Sequence, residues 1–419
     1  MTLEEWIELA EQGDTDAQFT LSEIYRTGNG TAQDGAQAAR WCLAAAEGGH
    51  PDAQFTLGDM YAVGAGVAQD YELATRWYRA AAIQGHAEAE YKLGTALEHG
   101  YGTAANFKEA ADWYRKASEQ GLGPAQFNLA VMLERSDWHD PDLEGAAQWY
   151  RAAADQGRAD GQYALSRMHR TGQGRPQDFY EAARLCRMAA DQGYSPAEGS
   201  MGDLYQNGTG VDQDYAEAVG WYQKAADHGN VGAQFYLGIL KLNGLGTDQD
   251  INGAVNWLET AADQGLPIAQ LNLGMLYELG NLVPQNFEKA VAWYRKAADL
   301  GDPDAQNSLA TLYSSGRGVK QDAPVAVRWF RMAAEQGNAM AQLNLALRYA
   351  RGEGIKQDMP EAYYWFGCAA ALGNPEGKRH LETAERIMSA DDIATGRALL
   401  ERKPPPPGPK TVVKTLGAR

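Results

Sequence analysis

The sequence predicts an all-α chain in which one helix-turn-helix unit recurs ten times in tandem. Stepping in 36-residue intervals from DAQFTLGDMYAVGAGVAQDYELATRWYRAAAIQGHA, Asp52 to Ala87, recovers ten copies without an insertion or deletion. Such a fixed period marks supersecondary units that stack on one another. One slot reads Trp41, Trp77, Trp113, Trp149, Trp221, Trp257, Trp293, Trp329 and Trp365, with only Leu185 breaking the series. A glycine closes every copy, at Gly49, Gly85, Gly121, Gly157, Gly193, Gly229, Gly265, Gly301, Gly337 and Gly373.

Each unit reads as two helices. The first runs through DAQFTLGDMYAV, with Ala53, Leu57 and Met60 on one apolar stripe at helical spacing. Gly64 then offers the left-handed conformation of a C-cap. The turn GAGVAQ leads to Asp70, a slot that holds Asp or Asn in all ten copies. A short carboxylate or amide there accepts bonds from the first free amides of a second helix. That helix is expected to lay Ala74, Trp77, Tyr78 and Ala81 along its inner side, and Gly85 stops it.

The ends fit a capped array, because a terminal repeat lacks a neighbour over its apolar face. Residues 1–15 supply an N-terminal capping helix, opened by the T-x-x-E box of Thr2 and Glu5. Residues 16–375 hold the ten repeats. Residues 376–402 supply C-terminal capping helices, with Leu381 in the leucine slot and Ser389 and Asp392 as a start signal. Residues 403–419, containing PPPPGPKTVVKTLGAR, read as a proline-rich disordered tail.

The pattern A-x-x-x-L-G-x-x-Y-x-x-G-x-G-V-x-x-D-x-x-x-A-x-x-W-Y-x-x-A-A-x-x-G resembles the Sel-1-like repeat family, a relative of the tetratricopeptide repeat, over Asp16 to about Pro375. The resemblance implies a right-handed superhelical solenoid of ten 36-residue repeats. It also implies a concave groove that holds a peptide or protein, in a bacterial signalling, regulatory or envelope-related complex.

Composition narrows the function further. A net charge of -18 and a pI near 4.9 oppose nucleic acid and anionic membrane as partners. The start MTLEEWIELAEQG lacks a basic and an apolar leader region, and no stretch approaches the roughly 18 apolar residues of a membrane span. A soluble, cytoplasmic protein is expected. Cys42, Cys186 and Cys368 lie far apart without C-x-x-C spacing, against a disulfide framework or a zinc site.

H-E-x-x-H, G-x-S-x-G, the phosphate-binding G-x-x-x-x-G-K-[ST] and S-x-x-K are all missing. The seven histidines are scattered over different repeats, and His169 occupies a tyrosine slot, where a packed histidine is expected. No cofactor, no metal and no catalytic residue is expected. Some cysteine-rich members of the family are linked to β-lactam binding or hydrolysis, so a β-lactamase-like or peptidoglycan-fragment-binding protein is the alternative. Paired cysteines are lacking here, and Cys42 and Cys186 fall in the slot of Tyr78 and Tyr114, which favours buried, inert thiols. A structural spacer or self-assembling scaffold is a second alternative, against a monomer or weak oligomer.

A partner is expected where the repeats differ. The first, fifth, eighth and twelfth positions of helix one fall on one narrow arc. Early copies are polar there, as in Thr20, Glu23 and Thr27 or Lys92, Thr95 and His99. Later copies give Tyr236, Ile239 and Asn243; Asn272, Met275 and Leu279; and Asn344, Leu347 and Arg351. Apolar groups at positions that are hydrophilic elsewhere form a candidate partner-binding patch, unless tight curvature buries them.

The stretch ERSDWHDPDLEG, Glu134 to Gly145, contains Asp142 in the second-helix N-cap slot, with Trp138 in place of a turn glycine. Asp137, His139 and Asp140 are too few and too close for a ligand set. Trp138 and His139 are left as a secondary edge contact.

Overall fold

A computed structural model describes residues 1–135, 138 and 140–403. Ten helix pairs follow one another, and no strand occurs among the described residues. The second pair is typical, Pro51–Val63 and Tyr71–Ile83. A helix over Leu3–Glu11 precedes the pairs, and helices over Pro375–Ile387 and Ala390–Arg402 follow them. The helices gather into two compact units. Unit 1 is Met1–Ser200 with Gly208–Asp212, and unit 2 is Met201–Asn207 with Gln213 onward.

Local chemistry sets each boundary. Asp70 Oδ1 accepts from the amides of Glu72 and Leu73 at 2.9 and 3.0 Å. At the far end of the preceding helix, Gly64 takes φ 75°. The turn then returns to that helix: the Asp70 amide donates to Tyr61 O and Gln69 Nε2 to Ala62 O, at 2.9 and 2.8 Å. These bonds satisfy carbonyls that a helix end otherwise leaves free. The second turn glycine, Gly66, has φ 73°, and a Cβ there would lie 2.0 Å from Gly35 O of the neighbouring repeat. Positive φ and close backbone approach together require glycine.

Inside a repeat, Ala53, Leu57 and Met60 are buried with Ala74, Tyr78 and Ala81. A Cβ on Gly58 would meet the Tyr78 ring at 2.7 Å. The same glycine-on-tyrosine contact recurs at Gly94 and Tyr114, Gly202 and Tyr222, and Gly274 and Tyr294. Tyr78, not Trp77, therefore fills the core, which corrects the expectation that the tryptophan lies inside. Trp77, Trp113, Trp149, Trp257, Trp293 and Trp329 are half-buried, whereas Trp41, Trp221 and Trp365 are buried. Two of the half-buried indoles carry a base over the ring, Lys116 at 3.8 Å from Trp113 and Lys296 at 4.0 Å from Trp293, in range of a cation–π attraction.

Successive repeats are joined by glutamines. Gln54 Nε2 donates to Ala46 O at 3.0 Å, while its Oε1 accepts from Gln84 Nε2 at 2.8 Å. The first bond crosses to the preceding repeat; the second ties the two helices of one repeat and recurs thirty residues apart in Gln156 to Gln126, Gln192 to Gln162, Gln264 to Gln234 and Gln336 to Gln306.

Candidate interaction surface

The variable stripe of the first helices is neither wholly exposed nor wholly buried. In the seventh repeat (helix Val231–Asn243), Tyr236 is 37% exposed and stacks on Tyr222 at 5.5 Å. Ile239 is half-buried, and Asn243 is exposed with its amide donating to Ile239 O. In the eighth repeat (Pro267–Leu279), Leu279 is 59% exposed and Met275 half-buried. In the tenth (Ala339–Arg351), Asn344 and Leu347 are half-buried and Arg351 is exposed.

Asn272 departs from the expected patch. It is fully buried, and its amide folds back to donate to Ile268 O of its own helix at 2.7 Å. A short polar side chain that bonds four residues back is removed from the accessible face. Neighbouring first helices are also offset: Asn344 Nδ2 donates to Asn307 Oδ1, 37 residues away, at 3.0 Å. The fifth position of one repeat thus meets the fourth of the one before. The fourth and eleventh positions consequently join the surface, although sequence spacing within one helix does not place them on the variable arc.

Buried tyrosines project their hydroxyls onto this face, where carboxylates accept from them. In unit 1, Tyr78 donates to Asp59 at 2.7 Å, Tyr114 to Glu98 at 2.9 Å and Tyr150 to Glu134 at 3.0 Å. Each carboxylate also meets a base of the following repeat: Lys92 at 3.8 Å, Arg135 at 3.3 Å and Arg167 at 2.6 Å respectively. In unit 2, Tyr222 donates to Asp203 and Tyr294 to Glu278, at 2.6 and 2.7 Å. Burial first, then the adjacent carboxylate, pushes the Tyr78, Tyr150, Tyr222 and Tyr294 phenols well above their ordinary range.

Two cavities open on this face. One in unit 1, of ≈ 520 Å³, sets Phe19, Phe55, Met60 and Val63 beside Glu23, Arg26, Asp59 and Lys92. Its aromatic floor comes from fourth-position residues, so the polar reading of the early repeats covered only part of the surface. The other, in unit 2, is ≈ 340 Å³ and sets Leu271, Met275, Leu279 and Met340 beside Glu278, Asp304, Asn307, Ser308 and Asn338. It takes in two of the nine residues expected from the sequence, Met275 and Leu279.

The other predicted positions read differently. Trp138 is half-buried and packs on the cluster that includes Phe107, Leu133 and Leu143. His139 lies outside the described residues, as do Ser136, Asp137 and the tail from residue 404. Asp142 caps its helix, accepting from the Gly145 amide at 2.8 Å.

All three cysteines are buried. Cys42 Sγ donates to Ala53 O at 3.3 Å, and burial pushes its thiol up to about 12; that of Cys368 rises to about 11. Such thiols are poor nucleophiles at neutral pH. His169 is buried, and desolvation, helped by the Arg175 guanidinium, holds it below the ordinary imidazole range. No group of three or more His, Cys, Asp or Glu among the described residues is arranged to hold a metal ion.

The Sel1 repeat family description matches residues 15–50, 51–86, 87–122, 123–157, 159–194, 195–230, 231–266, 267–302, 303–338 and 339–374. Among solved structures, c5321, a protective antigen present in uropathogenic Escherichia coli strains displaying an SLR fold, is 33% identical with a TM-score of 0.82. That alignment covers 98% of this chain and 91% of the antigen. A Sel1 repeat protein from Oxalobacter formigenes is 31% identical over 82% of this chain and 89% of its own, with a TM-score of 0.49. No curated protein matches the sequence.

Proposed function

The chain belongs to the Sel1 repeat family, and we propose that it is a non-enzymatic adaptor that holds a peptide or protein against the concave face of its first helices. The observation that carries this reading is the unit 2 cavity, where Leu279 and Met340 keep 59% and 52% of their surface exposed beside Asn307, Ser308 and Asn338. Apolar anchors next to a few polar groups suit a peptide, whose side chains and backbone need both. The proposed patch comprises Met275 and Leu279 with Tyr236, Ile239, Asn243, Asn344, Leu347 and Arg351 around them, and Trp138 remains a minor contact in unit 1.

The complexes it would join are cytoplasmic and of a bacterial signalling, regulatory or envelope-related kind, with the chain itself a monomer or weak oligomer. Affinity capture from the source cell with the wild type and with Met275→Asp/Leu279→Asp tests the adaptor role. The variant should lose specifically captured proteins while keeping its circular dichroism. Equal capture by both would remove unit 2 as the docking face, and loss of helical signal would mean the patch is core.

A further inference from the structure

The carboxylates of the unit 2 cavity lack the bases that their counterparts have in unit 1. Glu134 accepts from Tyr150 and is also bridged by Arg167, 33 residues on; Glu98 accepts from Tyr114 and is bridged by Arg135, 37 residues on. Glu278 holds the same place, accepting from Tyr294 at 2.7 Å. Counting 33 and 37 residues from Glu278 gives Thr311 and Ser315, both neutral. Asp304 is similarly served by a neutral group, the Asn338 amide at 2.7 Å. None of the residues that line this cavity is basic, whereas Arg26 and Lys92 stand beside Glu23 and Asp59 in the unit 1 cavity.

Glu278 is half-buried and Asp304 exposed, and two carboxylates beside one apolar wall attract a cation more strongly than a single carboxylate in open water. Here the repeat's own cation is missing, and apolar side chains occupy the wall. We propose that the unit 2 cavity takes a lysine or arginine side chain of a partner peptide, paired with Glu278 and Asp304, while an adjacent leucine- or methionine-sized residue of that peptide packs on Met275, Leu279 and Met340. This rests on the adaptor reading and specifies its partner as a basic-apolar segment. The chain's net charge of -18 would speed the encounter, and the pocket supplies the local selection.

The test uses the full chain and three fluorescein-labelled decapeptides that alternate leucine with lysine/arginine, with glutamine or with glutamate. Binding is read by fluorescence anisotropy at low and at physiological salt. The basic-apolar peptide should bind best, and Glu278→Gln/Asp304→Asn should weaken it about tenfold or more. A charge-matched control, Glu72→Gln/Glu288→Gln, removes two exposed carboxylates elsewhere and should leave binding within about twofold.

Equal weakening by the control would mean diffuse attraction and would overturn the proposal. So would preference for the glutamine or glutamate peptide, or failure of the basic peptide to bind. If the glutamine peptide binds as well and is lost in Met275→Asp/Leu279→Asp, the adaptor reading stands and only the cationic specificity falls. If no peptide binds and that variant captures partners like the wild type, both fall.

Discussion

Leu300 stands thirty residues beyond Gln270, in the place from which Gln84 and Gln156 reach back to Gln54 and Gln126. Gln270 Nε2 still donates to Ala262 O at 2.8 Å, but its Oε1 is buried without a partner. Leu372 stands in the same relation to Gln342, whose Oε1 is likewise unpartnered. The glutamine pair that ties the two helices of one repeat together is therefore incomplete in these two repeats.

Leu300→Gln should therefore stabilise the protein. The leucine is 57% exposed, so little burial is lost, and one completed buried bond contributes about 0.5–1.5 kcal/mol. Gln156→Leu should do the reverse by orphaning Gln126 Oε1, at a cost of about 1–3 kcal/mol. Urea unfolding followed by circular dichroism measures both. A lowered midpoint for Leu300→Gln would show that the orphaned acceptor is met in another way.

One substitution should have opposite signs at two helical glycines. Gly58→Ala drives a Cβ to 2.7 Å from the Tyr78 ring, and overpacking of this kind costs about 1–3 kcal/mol. Gly220 lies inside the helix Tyr215–Asp227 with nothing within 4 Å of an added Cβ. Gly220→Ala should gain up to about 1 kcal/mol of helix propensity. Thermal melts of the two variants decide this, and matching signs would contradict the packing described for Gly58.

Alkaline pH should unfold the chain through its core tyrosines. The phenols of Tyr78, Tyr150, Tyr222 and Tyr294 titrate above their unfolded values. The folded state thus holds these protons more tightly. The associated stability is complete below about pH 10, the unfolded value, and is lost as pH rises toward the folded one. Each tyrosine contributes a slope of up to about 1.4 kcal/mol per pH unit. The urea midpoint should fall above about pH 10, less steeply in Tyr150→Phe. Absorbance at 295 nm showing every tyrosine ionised while the native dichroism persists would refute the assignment.

Much of this molecule is legible in its sequence because so much of it is local. The cap at Asp70 involves amides two and three residues away, and the stop at Gly64 depends on one dihedral angle. Such features recur with the period and can be read by aligning copies. The site was less legible. Met275 and Leu279 were identified by their departure from polar neighbours, but Glu278, Asp304 and Asn338 carry no such mark within their own helices. Their significance lies in pairs 33 to 37 residues apart.

By itself the sequence determined the ten-fold repeat, the helix boundaries and the burial of the alanine and leucine stripes, since period, capping and hydrophobic spacing act within one unit. The tertiary structure decided that Tyr78 and not Trp77 fills the core. It also decided that Asn272 is withdrawn while Leu279 stays exposed, and that Glu278 shares a cavity with Asp304. The shared cavity depends on how far one first helix is offset from the next. That offset is set by side chains of different repeats packing together, a contact that no single copy contains.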